Sequence, residues 1–390
     1  MVLALAVLLV GSACGDDDSG STTTAGSSAT TTTAGGSQDT TSTTAAPTGD
    51  SGAALQAVYD ELAGLEGEAR LARLVELAAA ETAPFTCYCV LNTDDMAPLT
   101  AKLDQLLGAR ARMDHYRANA DTILQRLILE AEADFAGADV VMLDGPEVYA
   151  ANEAGLFLPL DTPVKEGIFA ATDTYAPFVL ITYTAFWNTN AISDADAPVT
   201  WEDVLSNYGD QLLLESTDFA WFQSLVANYF MGTQGMTEEE AVDLFRSAAE
   251  AGAGATRGHT LMVQQVASGE FDIGASGFWF RIAREASGGQ PLGYDSPQVV
   301  QPLVTDIAGM GIHRNTRAPA TALLFIELTL NEEGQQALAD LNFTPARRSI
   351  EALTAIPEGI EVVSVDLATL HENRAKWADI YDSIIQSTGG

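Results

Sequence analysis

Short apolar strands alternate with amphipathic helices along residues 85–144, and this alternation restricts the possible folds more than any other feature of the chain. Apolar residues favour strands at Phe85–Leu91 and Met113–Tyr116, and helices near Met96–Leu107 and Ala120–Glu132. The segment Asp139–Leu143 is an apolar run, which is typical of a strand buried on both faces of a parallel sheet. The order strand, helix, strand, helix, strand predicts a doubly wound α/β lobe.

A second series of strands and helices follows the apolar segment Phe178–Trp187. Its predicted elements are the strands Gln211–Leu214 and Phe271–Ala275 and the helices Trp221–Met231, Glu238–Ala251 and Leu261–Ser268. The segment Val304–His313 then returns the chain to the first lobe. Two lobes joined by two crossings create a cleft, and ligands of such sheets bind beyond the carboxyl ends of the strands.

The predicted fold class is α/β, with two lobes that each contain a doubly wound sheet flanked by helices, joined by two hinge crossings. Helical periodicity places N-terminal helices at residues 53–83 and a C-terminal helical segment at residues 351–390. The first part of lobe 1 is expected at residues 84–182, lobe 2 at residues 183–300, and the return to lobe 1 at residues 301–350. A folded part of this size favours two lobes over a single core.

The N-terminal residues are similar to a bacterial lipoprotein signal. The apolar run Met1–Val10 is shorter than the roughly 20 residues that span a bilayer but fits a signal core of about 7–15 residues. Small residues then lead to Cys14, so cleavage would remove residues 1–13 and leave Cys14 to carry the lipid. No Lys or Arg precedes the run, and Gly11 stands where an aliphatic residue is usual. A plain secretory signal is therefore the alternative.

The segment after the signal, residues 14–52, is rich in Ser, Thr, Gly, Ala and Asp and contains no aromatic residue. This composition cannot bury enough apolar surface to offset the entropy of ordering, so we expect a disordered tether. A flexible chain of this length would hold the folded part roughly 30–40 Å from the lipid. The expected location is the outer face of the cytoplasmic membrane, in the periplasm or at the cell surface.

Acidic residues dominate the charge balance, with 54 Asp and Glu against 18 Lys and Arg and a net charge of −36. This charge argues against nucleic acid or an anionic membrane surface as a partner. It is typical of a solubility adaptation, and a cation-binding cleft is the alternative interpretation.

Cysteine and histidine residues form no recognisable metal or redox motif. Cys87 and Cys89 lie two apart on one face of a predicted strand, and we expect buried apolar thiols rather than a redox or metal pair. The histidines His115, His259, His313 and His371 fall in separate segments without ligand spacing. The sequence therefore predicts no metal site and no cofactor.

Ordered fragments between Ala69 and Ile350 resemble the type 2 extracellular solute-binding proteins of ABC importers, in the branch grouped with ferric-iron binders. The fragments include ARLVELAAAET, LNTDDMAPLTAKLDQ, YRANADTILQRLILEAEADFAGADVVMLDGPEVYA, FWNTN, WEDVL, RGHTLMVQQVASGEFDIG and LLFIELTLNEEGQQAL, followed by TPARRS. Their order and spacing carry the resemblance. It implies a two-lobe protein that closes around a small solute and delivers it to an ABC permease in the membrane.

The resemblance also indicates where the iron ligands of the ferric branch would lie in this sequence. The ferric branch typically holds its metal with a pair of tyrosines just before an aromatic-Arg element, and here that region reads Gly277-Phe278-Trp279-Phe280-Arg281. Phenylalanine and glycine side chains offer no oxygen ligand to a hard cation. Ferric binding in that manner is therefore not expected, although iron(III) transport stays the alternative on family grounds.

Loop positions in the first lobe indicate candidate ligand contacts. Asn92 and Thr93 precede a helix whose N-terminus favours an anionic group, although simple capping explains them as well. Arg117 and Asn119 suit a carboxylate, with a surface salt bridge as the alternative. At the end of the third strand, Gly145 permits close backbone approach or an ordinary turn. The remaining candidates there are Asp144 and Tyr149.

The second lobe and the first crossing supply further candidates. An acid beside an indole, Asp218 and Trp221, suits an amine through charge and cation–π attraction, whereas capping plus a core Trp is the alternative. Phe278 and Trp279 are either a stacking wall or core aromatic residues. The polar turns and the crossing add the candidates Tyr183, Ser216, Thr217, Arg257, Gly258, His259 and Thr260.

The function expected from these observations is capture of a small polar or ionic solute by a lipid-anchored, monomeric binding protein. The mixture of Asp218 with Arg117 and Arg257 fits a zwitterionic or carboxylated solute better than a bare metal. No nucleophile, phosphate-loop or metalloprotease motif is present in the sequence, so an enzyme is not expected. A sensor or adhesion lipoprotein is the remaining alternative.

Overall fold

The computed structural model describes residues 50–108, 112–295, 298–351, 354 and 356–389. The predicted signal peptide, Cys14 and nearly all of the predicted tether lie outside the described residues. The folded part is a mixed α/β structure, as predicted.

The first part of the chain forms two helices and then alternates strands with helices. The elements are α1 (Ser51–Leu62), α2 (Gly67–Ala80), β1 (Phe85–Cys89), α3 (Thr93–Leu107), β2 (Met113–Arg117), α4 (Ala120–Glu132), β3 (Val140–Asp144) and α5 (Gly145–Glu153). The break between α1 and α2 contains Gly64, whose φ of 74° lies in the left-handed region that glycine adopts without strain.

The second part begins with a long strand and repeats the alternation. It contains β4 (Tyr175–Asn188), α6 (Trp201–Asn207), β5 (Leu212–Glu215), α7 (Phe219–Ser224), α8 (Glu238–Glu250), β6 (Gly254–Thr256), α9 (His259–Ser268), β7 (Ile273–Phe278), α10 (Trp279–Ser287) and β8 (Leu292–Gly293). After α7 the chain continues as a π-helix over Leu225–Met231.

The last part crosses back and ends in helices. Its elements are β9 (Leu303–Ile312), α11 (Pro319–Leu330), α12 (Glu332–Asp340), β10 (Thr344–Pro345), β11 (Val362–Ser364), α13 (Leu367–Glu372) and α14 (Arg374–Ile385). The predicted C-terminal helical segment is divided at Asn373, whose φ of −113° and ψ of 13° are not helical. Gly145 does not lie in the ordinary turn considered for it, because Gly145 and Pro146 open α5, where proline is tolerated in the first helical turn.

The strands form one path in the order β2-β1-β3-β9-β4-β7-β5-β6. On one side of the path β1 pairs in parallel with β2 and β3, and on the other side β5 pairs in parallel with β6 and β7. Between these halves lie β9 and β4, which pair antiparallel to each other along Tyr175–Tyr183 and Val304–Gly311. The two lobes are therefore built on two parallel half-sheets that share a pair of long crossing strands.

The helix α11 is the centre of the first lobe's core. Every residue of Pro319–Leu330 is buried. The helix is mostly apolar, as a buried helix requires, and its one acid, Glu327, pairs with Arg70 at 2.7 Å. It packs against α1, α2, α3 and α12. The Phe325 ring lies 5.6 Å from the Phe85 ring of β1. These contacts explain why the helices at residues 53–83 belong to the folded part.

The C-terminal helices contact both lobes. Helix α13 packs against α5 of the first lobe, whereas α14 packs against α7 and α8 of the second. The Arg374 guanidinium joins the two sides, because it pairs with Glu147 at 2.7 Å and lies 4.6 Å from the centre of the Phe219 ring. This segment therefore lies beside the cleft.

Candidate functional site: the cleft between the lobes

A cavity of about 810 Å³ lies between the two lobes. Its walls come from the carboxyl ends of the strands, where α4, α5, α7 and α9 begin, together with the crossing strand β4 and the C-terminal helix α14. This position agrees with the rule that open α/β sheets bind ligands beyond the strand ends. The volume is within the range of small-molecule sites.

Glu215, the last residue of β5, holds together two loops of the second lobe. Its Oε2 accepts hydrogen bonds from the Thr217 backbone N–H at 2.6 Å and hydroxyl at 2.7 Å, and its Oε1 accepts from the Gly258 backbone N–H at 2.7 Å. Gly258 has a φ of 99°, a conformation that a side chain would strain. Burial, with the negative charge of Asp218, raises the pKa of Glu215.

The His259 imidazole is held beside this loop by two contacts. The Nε2 atom of His259 lies 3.1 Å from Oδ2 of Asp218, and its ring stacks on the Phe278 ring with centroids 3.5 Å apart and planes 15° from parallel. Burial opposes the charged imidazole, but the neighbouring Asp218 carboxylate outweighs it and raises the pKa of His259. The acid therefore orients the ring and favours its cationic form.

The crossing strand contributes a phenol to the same wall. Tyr183 is only 4% exposed, and its ring meets the Phe278 ring edge to face at 5.3 Å. Its hydroxyl has no hydrogen-bond partner in the described part of the chain, although the residue lines the cavity. Burial, followed by the charges of nearby acids with Asp218 first, raises the pKa of Tyr183 well above its ordinary value. The phenol is therefore a neutral donor that faces the ligand space.

Asp144 is an acid on the first-lobe wall of the cavity. It occupies the N-terminal cap position of α5 without capping the helix through its side chain, and within the described ranges it forms no ion pair. Burial, together with the nearby Glu147 charge, raises the pKa of Asp144 to about 7. A cation placed beside it would favour the ionised carboxylate.

Most arginines at the cleft are already neutralised. Arg257 pairs with Asp121 at 2.6 Å, and Arg284 pairs with Asp95 at 2.7 Å, each across the lobes. Arg281 also approaches Asp95, at 3.8 Å. In contrast, Arg117 donates only to the Asn119 side chain, at 3.3 Å, and has no carboxylate partner among the residues that the structure describes. It is the guanidinium available to a ligand anion.

The structure brings most of the sequence-predicted contacts to the cavity wall. The residues that line it are Arg117, Asn119, Asp144, Tyr183, Ser216, Thr217, Asp218, Arg257, Gly258, His259, Thr260 and Phe278. Their contact with a ligand remains a proposal.

The remaining candidates are not on the cavity wall. Trp221 lies in the core between Trp201 and Phe245, at ring distances of 5.4 and 5.6 Å, because the rotation of α7 turns it away from the cleft. Trp279 packs against Tyr294 at 5.7 Å. Both tryptophans are buried, which favours the alternative interpretation of Trp221 and Trp279 as core residues.

Three first-lobe candidates and one glycine are also displaced. Asn92 occupies the cap position of α3 and Thr93 lines a groove on the outer side of that helix. Tyr149 lies beside His371 of α13, with ring centres 5.4 Å apart and ring planes tilted by 56°. Gly145 is buried, and a Cβ atom there would overlap the Asp306 carboxyl group. Its role is the close packing of α5 on β9.

Sequence reasoning missed several cavity residues. Glu215 was not among the candidates, although its position at a strand end was the available signal. Arg374 and Asp382 of α14 had no signal at all, because only the folding of the C-terminal segment brings them to the cleft. The other missed lining residues with polar side chains include Asp95, Asp121, Gln125, Glu147, Gln264, Arg281 and Gln386.

One group of cavity residues brings three potential metal ligands close together. Glu215, Asp218 and His259 each offer a ligand atom, and these atoms all lie within 4.8 Å of one another. His259 lies 41 residues from Asp218 in the sequence. No spacing of metal ligands in the sequence therefore indicated that these two side chains are close together.

Comparison with known proteins identifies the family. Residues 113–361 match the family model described as bacterial extracellular solute-binding protein. The chain belongs to this family. The predicted resemblance is thereby confirmed, and the family places this solute-binding protein outside the cytoplasm. No curated protein gives a significant match.

Solved structures share the fold of this solute-binding protein at low identity. The substrate-binding protein of the ABC transporter from Agrobacterium tumefaciens is 12% identical with a TM-score of 0.67, over 78% of this chain and 95% of that one. AfuA from Actinobacillus pleuropneumoniae, with fructose-6-phosphate bound, is 17% identical with a TM-score of 0.65, over 78% and 98%. Iron-bound HitA from Pseudomonas aeruginosa is 16% identical with a TM-score of 0.63, over 78% and 99%.

These comparisons confirm the two-lobe fold of periplasmic binding proteins that the sequence predicted. In the described part of the solute-binding protein, no helix has both the length and the apolar character needed to cross a membrane.

Proposed function

We propose that this protein is the solute-capturing component of an ABC importer, anchored by lipid on Cys14 and acting as a monomer. The family supports solute binding outside the cytoplasm. The N-terminal apolar run and the long polar segment at residues 14–52 support a tethered lipoprotein. The permease is the partner to which the closed protein delivers its solute.

The proposed ligand is a small zwitterionic organic solute with an ammonium and a carboxylate group. The observation that carries this proposal is the presence of charged cavity groups of both signs without partners in the described residues. Both Asp144 and Arg117 line the first-lobe side of the cavity, and neither forms an ion pair in the described part of the chain. A ligand with an ammonium group beside Asp144 and a carboxylate group beside Arg117 would supply the missing ion-pair partner of each residue.

The ammonium group of the ligand is placed beside the acidic side chains of the cavity. Asp144 and Asp218 supply negative charge, and the free Tyr183 hydroxyl can accept a hydrogen bond. The aromatic ring of Phe278 adds an apolar surface, although His259 covers part of it. Charge-assisted hydrogen bonds of this kind are about twice as strong as neutral ones.

The carboxylate group belongs at Arg117. Its guanidinium can donate two parallel hydrogen bonds to a carboxylate. The hydrogen bond from the guanidinium to the Asn119 side chain restricts the position of the guanidinium. Acids at the cap positions of α5 and α7, Asp144 and Asp218, oppose an anion at those helix ends.

We further propose that the solute is bound without chemical change. The family is one of solute-binding proteins, and the fold neighbours include the substrate-binding protein of an ABC transporter. The contact of His259 with Asp218 and its stacking on Phe278 suit a binding wall.

A metal ion is the second candidate ligand. Glu215, Asp218 and His259 gather two carboxylates and an imidazole within 4.8 Å, and the Tyr183 phenol lines the same cavity. HitA, a neighbour in fold, is iron-bound. The satisfied hydrogen bonds of Glu215 weigh against this candidate, because a metal would have to share its oxygens with three donors.

Mass spectrometry of the small molecule released from natively purified protein tests the proposal directly. Calorimetric titration with 4-aminobutyrate, putrescine, succinate and ferric citrate then compares the classes. We expect the zwitterion 4-aminobutyrate to bind most tightly, with heat lost in Arg117→Ala and in Asp144→Asn. Preferential binding of succinate, or a ferric complex that requires His259, would contradict the zwitterionic ligand.

The anchor has a separate test. We expect incorporation of labelled fatty acid into the full chain, its loss in Cys14→Ser, and accumulation of precursor in the presence of globomycin. Equal labelling of wild type and Cys14→Ser would remove the lipid anchor from the proposal.

A further inference from the structure

Sulfur atoms cluster beneath the parallel half-sheet of the first lobe, outside the cleft. The Sγ atom of Cys89 lies 3.6 Å from Sδ of Met96 in α3 and 3.5 Å from Sδ of Met142 in β3. Cys87 is the second thiol on the same face of β1, since it lies two residues away. Both cysteines are free and fully buried.

An imidazole completes the cluster. In the parallel ladder, Cys87 is opposite His115 of β2, and Cys89 is opposite Met142 of β3, so these residues share one face of the sheet. The Nε2 atom of His115 is buried and has no hydrogen-bond partner in the described ranges.

The donors are those that a soft monovalent metal prefers. Thiolate and thioether sulfur select Cu(I) over hard cations, and imidazole is compatible with copper. Two sulfur atoms that bind one ion at about 2.3 Å lie roughly 3.5–4 Å apart, which is the spacing found around Cys89. One thiolate neutralises one monovalent ion, and a neutral pair is the form that a buried site tolerates.

A route leads from solvent to this cluster. A groove of about 550 Å³ on the outer side of the first lobe is lined by Met96, Met113 and His115, among other residues. Met96 and His115 therefore belong both to the groove and to the cluster. An ion that enters the groove meets a thioether and an imidazole before it reaches the buried thiol.

We propose that Cys89, Met96, Met142 and His115 form a Cu(I) site, with Cys87 as an adjacent thiol. Binding replaces the proton of the Cys89 thiol: a Cu–S bond forms, the S–H bond breaks, and the proton leaves to solvent, with no change in oxidation state. The site is spatially separate from the solute cleft, because none of these residues lines that cavity.

Competition with bicinchoninate tests the site. Cu(I) supplied as its bicinchoninate complex under anaerobic conditions should pass to the purified full chain at one equivalent, and Ag(I) should compete with it as a redox-inert ion. We expect Cys89→Ser to weaken Cu(I) binding by at least about 100-fold and Met142→Leu or His115→Gln by about tenfold. Met262→Leu, at a buried methionine of the other lobe, is the matched control and should bind as wild type does.

X-ray absorption of the copper-loaded protein provides a second measurement, with a first shell of sulfur and one nitrogen expected. Met142→Leu conserves volume and should fold even where Cys89→Ser does not. Failure of the wild-type protein to draw Cu(I) from bicinchoninate, or unchanged binding in folded Met142→Leu and His115→Gln, would overturn the site. Titration of the cleft ligand into the copper-loaded protein should be unchanged, so that failure here is distinguishable from failure of the solute proposal.

Discussion

The two walls of the cleft hold their charged groups in different ways. On the second lobe, Glu215 accepts three hydrogen bonds from its own loops and Asp218 is paired with His259. On the first lobe, Asp144 and Arg117 have no ion pairs within the described residues. The second-lobe wall is therefore organised before a ligand arrives, whereas the first-lobe wall keeps charges that a ligand must satisfy.

This difference separates structural from binding roles. A charged group that is already paired contributes to the shape of the site, and its removal exposes unsatisfied donors. A charged group that is unpaired and partly desolvated favours any ligand that brings the opposite charge. Substitutions on the two walls should therefore change different quantities.

The largest effect is expected from Asp144→Asn. Loss of a charge-assisted contact with the ligand ammonium should weaken ligand binding by about 2–3 kcal/mol, or roughly 30- to 150-fold. Calorimetric titration measures this change. Asp94→Asn, at an exposed position of α3 outside the cavity, is the control and should leave affinity unchanged. Wild-type affinity in Asp144→Asn would mean that the first-lobe acid does not contact the ligand.

Glu215→Gln should act on stability first. The amide offers one acceptor oxygen where the carboxylate offers two, so the partly buried N–H of Thr217 or Gly258 loses its partner. We expect a loss of about 1–3 kcal/mol in the free energy of unfolding, measured by urea denaturation of the ligand-free protein. Thr217→Val removes only the hydroxyl contact and should cost less. Equal stability of Glu215→Gln and wild type would show that Glu215 does not hold the two loops.

The pH dependence distinguishes the walls further. Folding raises the pKa of Asp144 from 3.8 to about 7, so between these values the folded protein keeps a proton that the unfolded chain releases. Stability should therefore fall as pH rises through this window, by about 1 kcal/mol or more. Thermal denaturation of the ligand-free protein should show a flatter profile in Asp144→Asn. A cationic ligand should also release protons on binding near pH 6–7, and calorimetry in buffers of different ionisation enthalpy should detect this release.

The smallest effect is expected from Arg257→Ala. Its pair with Asp121 joins the lobes at 2.6 Å, but the Arg257 side chain is 53% exposed, and exposed pairs contribute about 0.2–1 kcal/mol. Ligand affinity should fall by at most about fivefold, and less at high salt. Arg246→Ala removes a pair within α8 alone and should leave affinity unchanged. A loss as large as that of Asp144→Asn would show that Arg257 contacts the solute.

The sequence predicted the fold better than the site. Most predicted strands and helices are present, because each carries its own periodicity: the stripe of α4 spans Ala120–Glu132 as expected. The site is formed by segments that are far apart in the sequence. Loop position selected Asp218 and His259, which line the cavity. It also selected Trp221, whose ring packs in the core. Position in a loop or a first helical turn does not determine the direction of a side chain.

The C-terminal segment shows the same limit. Its helical character was predicted from residues 351–390, but nothing in the pattern indicated that Arg374 would pair with Glu147 or that the Tyr381 hydroxyl would donate to the Glu215 carbonyl at 2.6 Å. The segment shapes the cavity wall only because α13 and α14 pack on different lobes.

The sequence by itself determined the α/β class, the family and the acidic character of this protein, because local periodicity, fragment order and composition are properties of the chain. The tertiary structure decided which charges are paired and which remain free, as with Asp218 beside His259 and Asp144 alone. It also decided that Met142, Met96 and His115 meet at Cys89. Proximity between residues far apart in sequence depends on how elements pack, and that packing is not encoded in any single segment.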